Sequence, residues 1–428
     1  MHKSLFPALV LAFAVRAPAQ TPLLLNLQQC MERARANSPQ ILSANISALI
    51  AREDTRQAKA ALLPTAIGFS QYIYTQANGS ITGAYVSNDG VHVYNDQFQV
   101  HGDLYAPTKL ADYHKAQFAE AVSRAKADVA ARGLIATVVE DYYTLVSANR
   151  KLVNAQQSLK EAEEFADITR KLERGGEAAH YDTVKAESQV LDRQRDVQDS
   201  QLAIDKARLT FAVLLFPDFR QDFSVADDLD SSPALPPFPE IQTLASRNSP
   251  DLRAAQATVQ QQQFELKSVR SEYLPSLSFD YFWGINANQF AIHDEFGRNN
   301  LGSVAQAQMN IPIWNWGTTR SRVKQSELRL EQARNDLTLA QRQLLSDLNQ
   351  YYLEAGTASA QIGSLRRSLD YANDALRMTR LRYQGGEGSV LEVVDAQSTV
   401  VTARNAFEDG MVRYRLAVAN LQTLTGAF

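Results

Sequence analysis

The sequence lacks most of what catalysis or a covalent framework would need. It contains one cysteine, Cys30, which excludes an intrachain disulfide or a multi-thiolate metal site. Its six histidines are scattered, with no i, i+4 pair to hold a metal. Beyond the N-terminus, no window approaches the roughly 18–20 uncharged apolar residues of a membrane helix. The net charge of −4 argues against nucleic acid, which calls for a clustered basic surface. We therefore expect no enzyme, no metal site, no cofactor and no nucleic-acid partner.

The N-terminus has the pattern of an export signal. A basic start at His2 and Lys3 precedes a short apolar run, Leu5–Val15, and an Ala-x-Ala cleavage site at Ala17–Ala19. The run is too short to cross a membrane, and Arg16 closes it. We interpret residues 1–19 as a signal peptide and expect an exported protein that begins near Gln20.

The main feature that is present is a long internal duplication. Four landmarks recur at offsets of 211, 211, 209 and 210 residues. In that order they are Asn37-Ser38-Pro39 with Asn248-Ser249-Pro250, Leu63-Pro64 with Leu274-Pro275, Tyr142-Tyr143 with Tyr351-Tyr352, and Gly175-Gly176 with Gly385-Gly386. A short solenoid repeat, with a period of about 20–50 residues, is excluded. We divide the chain into a first repeat (20–216), a Pro- and Asp-rich linker (217–240) that we interpret as a surface connection, and a second repeat (241–428).

Each repeat contains two segments with the alternation of β-strands. From Leu277 to Ile285, apolar and aromatic side chains alternate mostly with small or polar ones over about the length of a tilted transmembrane strand. The predicted pairs are Thr65–Thr75 with Val91–Leu104, around loop Ala77–Gly90, and Leu277–Ile285 with Leu301–Ile313, around loop Asn286–Asn300. The alternative is a small hairpin packed on a soluble helical core. That alternative does not explain well why one face of Leu277–Ile285 is so aromatic. It also does not explain well why an exported chain would contain the hairpin twice.

Each repeat also contains a long helix. No proline interrupts residues 108–173 or 318–383, and each segment would form a helix about 100 Å long at 1.5 Å per residue. Both carry a heptad-like seam and end at Gly-Gly, since glycine supplies a left-handed cap. The seam positions are Ala155, Leu159, Ala162, Ala166, Thr169 and Glu173, and Leu365, Leu369, Ala372, Leu376, Thr379 and Tyr383.

Further helices precede the strands and follow the Gly-Gly turns. They are predicted at Leu27–Leu62, Tyr181–Phe216, Ile241–Tyr273 and Ser389–Thr425. Asn-Ser-Pro interrupts the first and third of them, which restart with proline in the first turn, where its missing N–H costs nothing. Both stop near Leu-Pro, since the residue before proline is pushed out of the α region.

Four strands per chain cannot close a barrel, and open sheet edges are not tolerated in lipid. If the strands cross a membrane, several chains must pool them, and three chains would supply twelve, a workable barrel size. The long helices pooled in the same way would form a second tube, projecting about 100 Å. The sequence thus predicts an α+β membrane protein: a trimeric twelve-stranded β-barrel continuous with a long α-helical barrel. Such a geometry suits a conduit across a periplasm.

Two motifs, together with the duplicated helix borders, give the chain a family resemblance. They are Ile311–Gly317 (Ile-Pro-Ile-Trp-Asn-Trp-Gly) and Tyr383–Gln397, whose first-repeat counterpart includes Asp182–Ser188. With these, the whole chain after the signal resembles the outer-membrane efflux protein (TolC) family. The resemblance implies a homotrimeric outer-membrane channel, with its helical barrel in the periplasm. It also implies a periplasmic membrane-fusion adaptor and an inner-membrane pump of RND or ABC type as partners, in multidrug efflux or type I secretion.

The resemblance also assigns candidate residues. Glu392 and Asp395 share one helix face after the Gly-Gly turn, and they match an acidic pair lining the closed periplasmic entrance. Three chains would then present a ring of six carboxylates, favouring cations. Asp182 is expected to face Tyr383 across neighbouring helical hairpins and to help hold the entrance shut. Without the resemblance, these acids would be read as a solvated helix face and as a favourable acid in a first helical turn.

The adaptor is expected to dock at the helical tips. The residues concerned are Gly175, Gly176, Gly385, Gly386 and Ser389. Two departures from the family pattern lie close by. At the position of Gly388, the type member of the family has a basic residue. A salt bridge that helps to keep the entrance closed would therefore lack its cation in this chain. Lys185 occupies the position in the first repeat that is equivalent to Asp395 in the second.

A second class of protein fits part of the sequence. A periplasmic coiled-coil adaptor or scaffold would also have long helical hairpins, without membrane strands. Adaptors use one helical hairpin beside compact β domains, whereas this chain predicts two hairpins and two strand pairs. We therefore favour a passive exit duct over the adaptor.

Overall fold

The computed structural model describes residues 23–75, 91–231 and 233–426. The predicted signal peptide (1–19) and the whole of the loop Ala77–Gly90 lie outside these residues. Helices and strands follow one another in the same order in both halves of the chain. The elements are β1 Leu23–Leu25, α1 Leu27–Asn37, α2 Pro39–Ala60, β2 Thr65–Thr75, β3 Val91–Tyr105, α3 Pro107–Gly175, α4 His180–Leu215, β4 Phe223–Val225, α5 Phe238–Asn248, α6 Pro250–Ser271, β5 Ser276–Ala287, β6 Leu301–Asn310, α7 Thr318–Gln384 and α8 Val390–Thr425.

The Asn-Ser-Pro landmarks are helix junctions with one recurrent geometry. Ser38 and Ser249 are the N-caps of α2 and α6, and each hydroxyl accepts a hydrogen bond from the backbone N–H three residues on. The preceding asparagine closes a second contact. Asn37 Nδ2 donates to the carbonyl of Leu215 (2.7 Å), and Asn248 Nδ2 donates to that of Thr425 (2.8 Å). Each amide thus satisfies the last carbonyl of a returning helix, which has no intrahelical partner.

The sheet joins the two predicted hairpins. Its order is β2-β3-β5-β6, all antiparallel, with β3 and β5 in the middle and β2 and β6 at the edges. The predicted strand Thr65–Thr75 is confirmed, and β3 and β5 extend only slightly beyond their predicted bounds. The prediction for β6 was too long, because its partner β5 begins at Ser276, which pairs with Asn310. β5 therefore has no residue opposite positions beyond 310, and Pro312 has no N–H to donate.

The two faces of the sheet differ in character. Register places Phe98, Tyr281 and Trp283 on one face, together with the small β6 residues Ser303 and Ala305. We call this the apolar face. The opposite face carries a group of polar side chains in contact with one another, with His101 Nδ1 2.7 Å from an Asp280 oxygen. The members of this group are His101, Gln99, Asp280 and Gln306. Side chains from three adjacent strands thus sort mostly by polarity, as the alternation predicts, with Phe282 and Val304 as apolar exceptions on the polar face.

The chain divides into two compact units. The described part of the first unit combines residues up to 37 with 136–234 and 354–417, and the second combines 38–135, 235–353 and 418–426. The sheet lies in the second unit, where Val259 and Leu266 of α6 cluster with Leu330 and Ala333 of α7. Among the described residues, no helix combines the length and apolarity needed to traverse a membrane.

The first unit packs along the predicted heptad seam. Ala162, Ala166 and Thr169 of α3 are buried, as are Ala372, Leu376 and Tyr383 of α7. Apart from Ala162 and Thr169, they form one core cluster with Phe165, Ala186, Val390, Val393 and Val400. Many of these side chains are small, so the helices approach closely around a modest core. The seam prediction is confirmed by this burial.

The linker is only partly the surface connection that the sequence suggested. Phe223–Val225 forms a parallel pair with Leu23–Leu25, and Phe223 and Leu229 are buried. Its acidic residues are tied to helices of the same unit, since Arg150 bridges Asp227, Asp230 and Glu408. Apolar side chains on a three-residue strand are sufficient to draw this segment into the core.

Candidate functional site: the two helical turns

The two Gly-Gly turns have the same backbone. In the first turn, Gly176 N–H bonds to Glu173 O (2.9 Å) and Glu177 N–H to Leu172 O (2.8 Å). In the second, Gly386 N–H bonds to Tyr383 O (3.1 Å) and Glu387 N–H to Arg382 O (2.9 Å). This pairing is a Schellman cap, and it requires positive φ at the second glycine of each pair, 73° and 75°. Glycine is therefore needed at 176 and 386, whereas φ at 175 and 385 is not positive.

The second turn is reinforced by side chains that the first turn lacks. Ser389 Oγ accepts from the backbone N–H of Glu392 and lies 3.4 Å from its carboxylate, an N-cap for α8. The equivalent N-cap of α4 is Ala179, which makes no side-chain cap bond. Ser389 thus has a local structural role in addition to its predicted place at a docking tip.

Glu392 and Asp395 are both accessible at the surface and lie one helical turn apart, as the sequence predicted. Glu392 does not stand alone, because Arg382 Nη1 lies 3.4 Å from its carboxylate, while Arg382 Nη2 donates to Glu387 O (3.2 Å). No ion pair or hydrogen bond to the Asp395 carboxylate is found within the described ranges. Glu387 is a third exposed carboxylate of this turn, so the turn presents three carboxylates and one guanidinium, and Arg382 offsets one of the three negative charges.

Arg382 was missed by sequence reasoning. It precedes Glu392 by ten residues, and only the turn brings the two side chains together. The signal that could have found it is the known length of the turn, which places the last residues of α7 beside the first of α8. The Arg–Glu contact is exposed, so we expect it to be worth about 0–1 kcal/mol.

Gly388 has a steric explanation. A Cβ at this position would lie 3.1 Å from the backbone nitrogen of Tyr383 and 3.4 Å from the carbonyl carbon of Arg382. A side chain at 388 would therefore push on the end of α7. The cation of this turn comes from the helix end, at Arg382, rather than from position 388.

The structure brings Asp182 and Tyr383 together. Tyr383 OH donates to Asp182 Oδ2 at 3.5 Å, which links α7 to the first turn of α4. The Tyr383 ring is buried and packs edge-on against Phe165, with 5.1 Å between ring centroids. Burial raises the pKa of Tyr383, so its hydroxyl stays protonated, and able to donate, throughout the physiological range.

The first turn has its own polar pair. His180 Nδ1 lies 2.7 Å from Glu173 Oε1, and Glu173 occupies the position equivalent to Tyr383. The neighbouring Thr183 and His180 side chains lower the pKa of Glu173. Lys185, the residue equivalent to Asp395 in the first repeat, lies on α4.

The two turns thus have the same backbone conformation and different side chains. Within the described ranges, no three His, Cys, Asp or Glu side chains lie close enough together to hold a metal ion.

Comparison with known proteins defines the class of this fold. A family model described as "Outer membrane efflux protein" matches residues 30–215 and 242–427. "Outer membrane protein TolC" of Vibrio cholerae serotype O1 is 23% identical over 419 residues, covering 94% of this chain and 90% of that protein. "Alkaline protease secretion protein AprF" of Pseudomonas aeruginosa is 23% identical over 301 residues, 68% of this chain and 61% of that protein. The crystal structure of the Campylobacter jejuni CmeC outer membrane channel matches with a TM-score of 0.82 at 16% identity, covering 94% of this chain and 85% of that one.

The fold is accordingly that of an outer-membrane channel. Because the family model covers most of both halves, the chain belongs to the outer membrane efflux protein family. The protein is thus an export channel of the outer membrane with a periplasmic helical part, serving efflux or type I secretion. Membership favours the channel over the adaptor hypothesis.

Proposed function

We propose that three copies of this chain form a passive exit duct for small molecules or proteins across the periplasm and outer membrane. The proposal rests mainly on the two edges of the sheet, each of which lacks a second neighbouring strand among the described residues. Strands β2 and β6 each have one neighbour among the described residues, and the strands are 10–15 residues long. Unpaired edges are not tolerated in lipid. Pairing β2 of one chain with β6 of the next would close a twelve-stranded barrel from three chains.

The same logic extends to the helices. Each repeat contributes one helical hairpin, and three chains would contribute six to a tube continuous with the barrel. We divide the chain into tandem repeats at 20–216 and 241–428, with the linker at 217–240. Support comes from the two family matches and from the equivalent clamps made by Asn37 and Asn248.

The entrance of the duct would lie at the turns. Glu392 and Asp395 from three chains would form a ring of six carboxylates favouring cations, moderated by Arg382. The Tyr383–Asp182 hydrogen bond would help to hold neighbouring hairpins together while the entrance is closed. The tips would dock a periplasmic adaptor that connects the duct to an inner-membrane pump of RND or ABC type. The tip residues are Gly175, Gly176, Gly385, Gly386 and Ser389.

Cross-linking of the two sheet edges tests the trimeric barrel. Cysteines placed on the apolar face at Gly68 of β2 and at Ser303, Ala305 or Ala307 of β6 scan the unknown register between chains. A Cβ at Gly68 meets nothing within 4 Å. The native Cys30 is buried, and burial raises its pKa to about 12, so it stays inert.

The proposal predicts that one of these pairs, oxidised in outer membranes, yields covalent trimers on denaturing gels. The matched control joins Val100 to Tyr281 by cysteines, which face each other within one chain and should give monomers only. Recovery of the protein as a soluble periplasmic species, with no intermolecular product at any of the three positions, would sink the proposal and favour the adaptor.

A further inference from the structure

One row of side chains crosses all four strands on the polar face of the sheet. Register pairs Thr65 of β2 with His101 of β3, and His101 with Asp280 of β5. Gln306 of β6 is the other partner of Asp280. We call these four residues the polar row. Directly paired residues point to the same side of a sheet, so the four side chains form a continuous line across it. The row lies toward the helical end of the strands, since β2 begins at Thr65.

Asp280 is the centre of the polar row. Its side chain is 10% exposed and is surrounded by hydrogen-bond donors. His101 Nδ1 lies 2.7 Å and Gln99 Nε2 lies 3.1 Å from Asp280 Oδ1, and Gln306 is a further partner. An ionised carboxylate accepts hydrogen bonds and donates none, so these donors identify Asp280 as the negative charge of the row. It follows that Nδ1 of His101 carries the hydrogen and that Nε2 is left to take up a second proton.

The charges near His101 leave Asp280 without a permanent counter-ion. On the same strand and face, Asp103 is bound by Lys109 of α3, so these two charges compensate each other. The members of the row on β2 and β6 are uncharged. Among the described residues, Asp280 forms no ion pair with a lysine or arginine. Histidine is the side chain that ordinarily becomes charged between about pH 8 and pH 5, so a proton on His101 would neutralise the row.

In the proposed duct the polar row lies on the wall of the lumen, because the apolar face of the sheet must contact lipid. Three chains would place three copies of Asp280 around the barrel. Fixed carboxylates around a pore favour cations. A charge on the wall acts over the Debye length, about 10 Å at 0.1 M salt and about 30 Å at 0.01 M. The effect of these carboxylates on passing ions should therefore be largest in dilute salt.

We propose that Asp280 is a second determinant of ion preference, located in the barrel and separate from the carboxylates of the helical turns, and that protonation of His101 cancels its contribution. The inference rests on the proposed function, because it requires the polar face to line a pore. At neutral pH the barrel wall favours cations, and this preference weakens as His101 gains a proton.

Reversal potentials in planar bilayers test the carboxylate. Asp280→Asn removes the charge and retains the shape of the side chain. The matched control is Asp96→Asn, because Asp96 lies five residues from His101 and points to the opposite face of the sheet. At about 0.01 M salt, Asp280→Asn should lower the cation-to-anion permeability ratio, and Asp96→Asn should leave it nearly unchanged. At about 1 M salt, where the Debye length is about 3 Å, the difference between the variants should disappear.

The outcomes separate failure of this inference from failure of the duct. Discrete channels whose ion preference in dilute salt is the same with and without Asp280→Asn would overturn the inference and leave the duct standing. An equal fall with Asp96→Asn would also overturn it, since the effect would then come from charge anywhere on the sheet. If the native protein forms no channels, the proposed function fails and the inference fails with it.

A second measurement does not depend on the folding of Asp280→Asn. His101→Gln keeps a donor for Asp280 but cannot be protonated. In dilute salt, the cation preference of the native channel should fall between about pH 7.5 and pH 5.5, where carboxylates ordinarily stay ionised. His101→Gln should abolish this fall. The matched control is His180→Gln, since His180 also contacts a carboxylate, that of Glu173 at 2.7 Å, but lies at a helical turn. A fall that persists in His101→Gln, or that only His180→Gln removes, would contradict the inference.

Discussion

At the residue scale, the two helical turns show how identical backbones are given different chemistry. The second glycine of each pair is fixed by its positive φ, while the side chains around it are free to diverge. Ser389, Arg382 and Glu392 reinforce the second turn, and His180 with Glu173 occupies the first. A shared cap geometry with different side chains suits a surface on which one backbone shape must be kept while charge is adjusted.

The glycines of the second turn should therefore differ in their tolerance of alanine. At Gly386, φ is 75°, and an alanine there would cost about 1–2 kcal/mol for the left-handed conformation. At Gly385, a Cβ would meet only carbonyl oxygens at ordinary distances of 3.6 and 3.7 Å. We expect Gly386→Ala to accelerate hydrogen exchange at the Glu387 amide, which bonds to Arg382 O, and Gly385→Ala to leave it nearly unchanged. Equal effects of the two variants would contradict this account of the turn.

The residues of these turns were largely within reach of the sequence. Gly-Gly marks a helix end by itself, and the spacing of Glu392 and Asp395 fixes their shared face. The resemblance supplied the Tyr383–Asp182 pair, whose contact the structure contains. Arg382 was out of reach because its partner is separated from it by the turn, and spacing rules apply only within one helix. The roles of these residues in gating stay predictions.

At the element scale, the sheet depends on close backbone approach at two glycines. Gly102 lies beneath the Phe279 ring, since a Cβ there would come within 2.4 Å of the ring. Gly284 sits against β3, where a Cβ would lie 2.2 Å from Asp96 O and φ is 153°. Both positions are in the pairing of β3 with β5, which joins the hairpins of the two halves.

Alanine at Gly284 should therefore weaken the junction between the two hairpins. Steric overlap with Asp96 O must move the backbone, and overpacking of this kind costs about 1–3 kcal/mol. Gly302 is the matched control, because it pairs directly with Gly284 in β6 and a Cβ there meets nothing within 4 Å. The urea midpoint for loss of β-structure in detergent micelles should fall for Gly284→Ala and hold for Gly302→Ala. A similar fall in both would mean that glycine matters there for another reason.

Sequence patterns predicted the elements well where periodicity was long. The four membrane-length strands and the long helices were found at nearly their observed bounds, because alternation and heptads extend over many residues. The pair β1–β4 was missed, since three-residue strands some two hundred residues apart leave no periodic signal. The end of β6 was misplaced because it is set by where its partner begins.

At the scale of the whole molecule, the duplication accounts for the construction. Each half supplies one strand pair and one helical hairpin, and each returning helix ends on the amide of an Asn-Ser-Pro junction. The sheet that results has two edges and cannot be complete in lipid as a single chain. The central proposal is that the chain works as an assembled duct whose entrance is lined by Glu392 and Asp395.

The most direct test is single-channel recording in planar bilayers, with ion preference measured from reversal potentials under a salt gradient. The account predicts discrete, cation-preferring channels for the native protein. The double variant Glu392→Ala with Asp395→Ala leaves Arg382 uncompensated and should change the conductance and lower or reverse the cation preference. Removing the same charge from α7 by Glu331→Ala with Asp336→Ala should change the preference less. Absence of channels, or a double variant with unchanged conductance and selectivity, would contradict the claim.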